Sequence, residues 1–553
     1  MLRLDRIVLY KIVLFFVETL FVTLFLSDFV DGTWSFHFWN TAGACGLVYL
    51  ISRNTKFHPK FNVITFLVIW FLSVSRQTLI WGVKTFPLDD PQLVILTLQM
   101  PLDGFTFVFI KSFLLKVVLS SLLTSFFISI LIETWVESLV KRKSFVASAF
   151  VFVAVINVLA IYDSIPVSMY KYCLFDEKLI LEESDFFRTN YVNIDTVKIQ
   201  GNEEKTKNLI LIIMESIENS FVDSASGGNQ SINLMPELLP ADSNEIHFSK
   251  NQFIGGGFNT EGTLNTISAT VAKTTGVPLL LRRNYSDTLL EKVSSIYDIL
   301  KINDYYNVFI QGTDANFSGT KNYVLAHGMN TLYDMHSLKK MQDIDNKYRN
   351  FRTFEAGITD RTILDISKHI LDTLSKKKHF SLTIATIETH FPYGFYNKNC
   401  EDKPKDMSEK ASLEATIRCA SKDVRSFINW VKRQPFYPNV EIVIVGDHLF
   451  MGDYLVEKDM NKRKWYDLFI NPAVMPQNIE REFSSVDIAP TILESLGFYI
   501  DNHKMGFGAS LFSDEKTLVE KIGINALNRE FVKMKKSIEY NEISYPVNVG
   551  RGH

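Results

Sequence analysis

Residues 145–161 read FVASAFVFVAVINVLAI and carry no ionisable side chain. A run with no polar face has nothing to offer water on any side, and Lys141 to Lys143 stand immediately before it, so a transmembrane helix is expected there. Four less pure runs precede it. They are residues 7–29 with Lys11 and Glu18, 34–51, 61–81 with Arg76, and 113–134 with Lys116 and Glu133. Five spans are therefore expected. Composition agrees: 47% of the 553 residues are apolar and 44 are Phe, too greasy a balance for one ordinary cytosolic enzyme.

Basic residues mark the cytoplasmic ends of spans. Here they gather at Arg3 and Arg6, at Arg53, Lys56 and Lys60, and at Lys141 to Lys143, which alternate correctly for five helices. The opposite loops hold Asp28, Asp31, Asp89, Asp90 and Asp103. Everything after the fifth span is thus expected outside the cytoplasm. A cleaved signal peptide is the rival reading of the first 30 residues. The apolar stretch 93–110 is broken by Pro101, Asp103 and Gly104. It reads as an interfacial or re-entrant segment, or as a loop packing on the helices.

A net charge of −3 with a pI near 6.4 supplies no basic field for phosphate backbones, which excludes nucleic acid as a partner. The four cysteines, at 45, 173, 400 and 419, form no C-x-x-C pair, which removes a zinc ribbon and a thioredoxin-type centre. Cys400 and Cys419 flank a polar stretch and are expected to be joined if the topology is right, with Cys45 unpaired.

After Tyr162 the composition turns charged, and three domains are expected: a transmembrane domain over 1–165, a linker of surface helices over 166–207, and a globular domain over 208–553. In the last, short apolar runs at 209–214, 308–311, 380–386 and 440–445 read as buried parallel strands, with helices between them at 362–375 and 422–432. That alternation predicts an α/β domain whose site lies beyond the carboxyl ends of the strands. Glu215 follows the first strand. Glu388 and His390 follow the third, and Asp447 and His448 follow the fourth.

A Gly-rich loop from Gly255 leads into a helix through Ala272, with Thr263 and Thr266 at its start. A hydroxyl there ordinarily caps the helix. Glu215, Asp447 and His448, however, form an oxygen and nitrogen set suited to a borderline divalent ion such as Zn²⁺. A threonine hydroxyl beside such an ion loses its proton more easily and becomes a nucleophile, while helix N–H groups hold a phosphoryl oxygen.

The segments NLILIIMESIENSFVD, GTLNTISATVAKTTGVPL, FIQGTDANFSGTKNYVLAHGMNTLYD, SLTIATIETHFPYGF and VIVGDHLFM occur in that order. With them the chain resembles the alkaline phosphatase and sulfatase superfamily, specifically its membrane-anchored phosphoglycerol and phosphoethanolamine transferases. The resemblance implies a sulfatase-like domain in the periplasm, anchored in the bacterial inner membrane, with a Zn or Mn ion held by Glu215, Thr266, Asp447 and His448. It implies Thr266 as nucleophile, opening a helix that runs T-I-x-x-x-V-A, with Thr263 as the cap one turn earlier. His390 is implied to meet the transferred phosphate, and Thr263 and His327 are further candidates at the substrate. The partners implied are a membrane phospholipid donor and an envelope glycan or lipopolysaccharide acceptor. After His448 only His503 and His553 follow, which leans toward phosphoglycerol over the phosphoethanolamine branch. A sulfatase or phosphodiesterase is a further alternative, although no C/S-x-P-x-R motif is present. Glu218 and Asp223, on a helix after Glu215, and the run Lys462, Arg463, Lys464 read as solvated; Asp487 reads as positioning a late helix.

Overall fold

Each apolar run of the second half becomes a strand because its alternate side chains have a core on either side to enter. The computed structural model describes residues 181–544, apart from 202–204, 251–253, 281–288, 345–352, 355–356, 392, 398–399 and 407. The principal sheet is built from β1 (Asn208–Met214), β2 (Glu245–Ile246), β3 (Tyr305–Gln311), β4 (Thr331–Tyr333), β5 (His379–Ala385), β6 (Val440–Gly446) and β7 (Asp467–Ile470). Its spatial order is β2-β7-β6-β1-β5-β3-β4. The strands from β6 through β4 are parallel, and β7 runs antiparallel to both β6 and β2.

All of β1 is buried. Leu209, Leu211 and Ile213 enter one core, and Ile210, Ile212 and Met214 enter the other. Complete burial of each aliphatic side chain contributes roughly 1.5–3 kcal/mol. The first core is closed by α1 (Thr266–Thr275), α2 (Ile296–Ile302) and α5 (Ile488–Ser495), the second by α3 (Asp360–Leu374) and α4 (Glu409–Lys432). The result is a three-layer α/β/α sandwich, as the alternation predicts.

Three differences from the expected elements have physical causes. Helix α4 starts at Glu409 rather than 422, because Ser408 caps it by accepting from the N–H of Ala411. Strands β2, β4 and β7, of two to four residues, are too short to show a period. Residues 181–201, expected as linker, pack into the α/β unit: Phe187 and Ile194 join its first core, and Ile199–Gly201 pairs with Phe498–Ile500.

Two features tie loops to this frame. Gly256 has φ +144°, and a Cβ there would lie 1.7 Å from the carbonyl oxygen of Trp465; at Gly257 it would lie 2.1 Å from the Trp465 ring. The glycine run thus lets the loop pass flush against the start of β7. Cys400 and Cys419 form a disulfide with Cα atoms 5.9 Å apart, fastening the loop after β5 to α4.

The five expected spans, the segment 93–110 and Cys45 lie outside the described residues. Among the described residues no helix is long and apolar enough to cross a membrane.

Candidate active site

Strand β1 lies between β6 and β5, and their register places Met214 beside Gly446 and Ile213 beside Ala385. The residues that follow therefore emerge together at the carboxyl edge. Glu215 is held there by its backbone: its N–H donates to Thr386 Oγ1 at 3.0 Å, and its carbonyl accepts from the Thr389 hydroxyl. Ser216 turns the chain with φ +54° and donates its hydroxyl to Glu215 Oε1 at 2.6 Å. On β6, Asp447 Oδ1 accepts from the N–H of Ser216 at 2.7 Å and of His448 at 2.6 Å, so one carboxylate oxygen pins both strand ends.

Helix α1 brings the fourth group. Asn265 caps it, accepting from the N–H of Ser268, and Ser268 returns the bond in a capping box. That overturns the expectation that Thr263 is the cap. Thr263 is buried, its hydroxyl donating to the Thr260 carbonyl at 2.8 Å and accepting from the Thr260 N–H at 2.9 Å. Thr266, the first helical residue, points its hydroxyl at the strand ends, 3.2 Å from Glu215 Oε2 and 3.4 Å from His448 Nε2.

Glu215, Asp447 and His448 are fully buried, and one ligand-type atom from each lies within 4.8 Å of the others. Desolvation, then the Asp447 charge, pushes the Glu215 carboxyl above its ordinary range. Burial works against a charged His448, yet Asp447 and Glu215 outweigh it and raise its pKa. His448 Nδ1 donates to the Leu449 carbonyl at 2.8 Å, which turns the Nε2 lone pair inward. That nitrogen lies 3.3 Å from Asp447 Oδ2, a buried oxygen with no hydrogen-bond partner. Two carboxylates and a neutral imidazole facing one another in a dry pocket are a poor arrangement unless a positive charge sits among them, either a proton on His448 Nε2 or a metal ion that replaces it. This donor set of two carboxylates, one imidazole and a hydroxyl fits a Zn²⁺ or Mn²⁺ ion.

The remaining expected residues separate. His390 is half-buried, stacks on Phe395, donates from Nδ1 to the Phe391 carbonyl, and is close enough to act on the charge of Glu215. His327 is not brought to the cluster: it is buried, with Nδ1 paired to Asp298 and Nε2 to the Leu289 carbonyl. Glu388 stands among other carboxyls; burial, then Asp360 and Asp423, raises it to about 9. Glu218 is not solvated: only short 3-10 turns, Asn219–Phe221 and Ser224–Ser226, form after Glu215 in place of the expected helix, and Glu218 is buried in an ion pair with Arg463 and accepts from the N–H of Phe450, which steadies the loop after His448. Arg463 is accordingly buried too. Asp487 accepts from the N–H groups of Ser484 and Ala509 ahead of α5, the positioning part expected of it.

Sequence reasoning missed Thr386, Thr389, Ser216 and Lys273. The first three act on the backbone of Glu215 or on its carboxylate, and only the threonines left a trace, flanking the expected Glu388 in TIETH. Lys273 is buried in α1, its ammonium pushed down to about 7 by desolvation against the pull of Asp447.

The sulfatase family model matches residues 207–498. Phosphoglycerol transferase I of Escherichia coli O127:H6 is 30% identical over 323 residues, which are 56% of this chain and 39% of that protein. The Shigella boydii serotype 18 protein of the same name gives the same figures. The chain therefore spans about two fifths of the length of these relatives. Among solved structures, a lipoteichoic acid synthase from Listeria monocytogenes aligns at 20% identity over 58% of this chain and 80% of its own, with TM-score 0.45. Lipooligosaccharide phosphoethanolamine transferase A from Neisseria meningitidis aligns at 13% identity over 85% and 89%, with TM-score 0.47.

Proposed function

Since the chain belongs to the sulfatase family, we propose that it transfers the phospho-head group of a membrane phospholipid to a hydroxyl of an envelope glycan, through a covalent phospho-threonine at Thr266. The observation that carries this is the meeting of the Thr266 hydroxyl with Glu215 and His448, beside the unpartnered Asp447 Oδ2. Glu215, Asp447, His448 and Thr266 would hold the divalent ion. Bound there, it lowers the pKa of the threonine hydroxyl and neutralises charge on the phosphoryl oxygens.

In the first step Thr266 Oγ forms a bond to phosphorus as the bond to the diacylglycerol oxygen breaks. The hydroxyl proton leaves toward Glu215 Oε2, its neighbour in the resting site. Backbone N–H groups at the start of α1 have no partners within the helix and face the phosphoryl oxygens. His390 Nε2 binds the phosphate or its head group from the open side. Diacylglycerol takes up a proton from water and departs. In the second step the acceptor hydroxyl attacks phosphorus, releasing its proton to water, and the Thr266 oxygen leaves, regaining the proton held by Glu215.

Phosphatidylglycerol is the proposed donor. The resemblance assigns the phosphoethanolamine branch a second histidine soon after its Asp-His pair; here His503 is held by Glu494 instead, Nδ1 to Oε1 at 2.6 Å. A catalytic domain in the periplasm, on a chain anchored in the inner membrane by five spans, belongs to the same reading. The test is the whole chain in vesicles of mixed phosphatidylglycerol and phosphatidylethanolamine with a glucan acceptor. Transfer of phosphoglycerol mass to the glycan, abolished by chelation and by Asp447→Ala together with metal binding, is expected. Transfer of phosphoethanolamine alone would reverse the donor. Normal turnover in the metal-free alanine variant would sink the site.

A further inference from the structure

Lys273 is 1% exposed and makes no ion pair among the described residues, an expensive condition for an ammonium group. Its three N–H directions are nevertheless all taken. Nζ donates to the Asp447 carbonyl at 2.6 Å and to Ser485 Oγ at 2.9 Å, and it lies 3.9 Å from the centroid of the Trp465 ring. The ring is itself fixed, its Nε1 donating to the Phe258 carbonyl at 3.2 Å and its face covered by the glycine loop. Four separate segments thus converge on one cation: α1, the end of β6, the approach to β7 and the turn before α5.

Lys273 lies seven residues after Thr266, two helical turns and so the same side of α1. The helix consequently meets the Asp447–His448 turn at two points, through the Thr266 hydroxyl and through Nζ. One contact alone would leave the helix free to pivot or slide about it; two fix its rotation and its translation. A well-packed apolar side chain in this place would hold the fold together at no desolvation cost, so stability alone gives no reason for a cation here.

We infer that Lys273 is a positioning residue, whose buried ammonium locks the Asp447–His448 turn to α1 and thereby sets the Thr266 hydroxyl against the ligand atoms. This rests on the reading of Glu215, Asp447 and His448 as metal ligands. Lys273→Met keeps the length and removes the donors. In the full-length chain, calorimetry with Zn²⁺ and Mn²⁺ should show affinity falling roughly 10- to 100-fold, the usual effect of losing a group that orients a ligand. The transfer kcat should fall with KM for the lipid unchanged, because Nζ is buried among protein groups and offers the lipid no contact. Ser485→Ala, removing one acceptor of three, should give a loss of a few fold and serves if the methionine variant does not fold. Val271→Ala trims the same helix without touching the turn and should lower Tm while leaving affinity within about twofold.

Unchanged affinity and kcat in both Lys273→Met and Ser485→Ala would overturn the inference while leaving the metal site standing, as would an equal loss of affinity in Val271→Ala. Wild-type protein that binds neither ion would refute the metal site and this inference with it.

Discussion

Thr263 and Thr266 stand one helical turn apart in sequence and in different surroundings in the fold: one closes a turn with Thr260, the other faces Glu215 and His448. Incubation with phosphatidylglycerol should leave a phosphoglycerol adduct on Thr266, read by peptide mass spectrometry. Thr266→Ala deletes the attacking oxygen without changing charge and should eliminate the adduct and the transfer. Thr263→Ala should keep the adduct and lower stability by about 1 kcal/mol through its lost turn hydrogen bonds. An adduct on Thr263, or transfer with no adduct at either position, would contradict the assignment. The sequence exposes Glu215, Asp447, His448 and Thr266 because each follows a strand or opens a helix, positions that an apolar run marks clearly. It hides Lys273 and Glu218, whose burial depends on partners hundreds of residues away in the chain or on another layer.

The elements make two further predictions. The Cys400–Cys419 bridge closes a loop of 19 residues, worth about 3 kcal/mol on the chain-entropy model. Replacing both with Ser should lower Tm by several degrees and leave metal affinity intact, since α4 and its loop supply no ligand; a loss of metal from the double variant would contradict that separation. Within β7, Asp467 is fully buried with Oδ2 accepting from the Phe248 N–H at 2.9 Å and Oδ1 unpartnered. Desolvation, against the Phe248 bond and Lys464, raises its carboxyl from 3.8 to about 8. The folded chain then keeps a proton that the unfolded chain releases near about pH 4, so stability falls as pH rises from about 4 to about 8 and is level above. Asp467→Asn retains the acceptor and removes the titration. Its Tm should match wild type near about pH 4 and exceed it near about pH 9, a difference on the order of a few kcal/mol. Equal pH profiles would show that Asp467 is not the group responsible. Of these elements, β1, β3, β5 and β6 were legible as apolar runs, whereas β7 was not, because a four-residue strand carrying a buried aspartate imitates a loop.

At the scale of the whole molecule, the expected five spans place residues 53–60 in the cytoplasm and Asp89 and Asp90 on the far side. In intact cells, on a chain whose Cys45 and Cys173 are first replaced by Ser, a membrane-impermeant thiol reagent should label Asp90→Cys and spare Lys56→Cys, with labelling of the latter alone requiring the inverted topology. The hydropathy pattern carries that expectation unaided, since lipid demands long apolar runs and sequence displays them openly.

The β1–β6 register runs unbroken from Asn208 beside Val440 to Met214 beside Gly446, and the next residue on each strand is a carboxylate of the cluster. Under the proposed function the chemistry rests on this stiff pair of central strands, whereas the acceptor is met by loops beyond that edge, such as residues 312–319, which supply none of the cluster's groups. On that reading a duplicated gene can change its acceptor by exchanging such a loop while the carboxylates at the two strand ends stay in place.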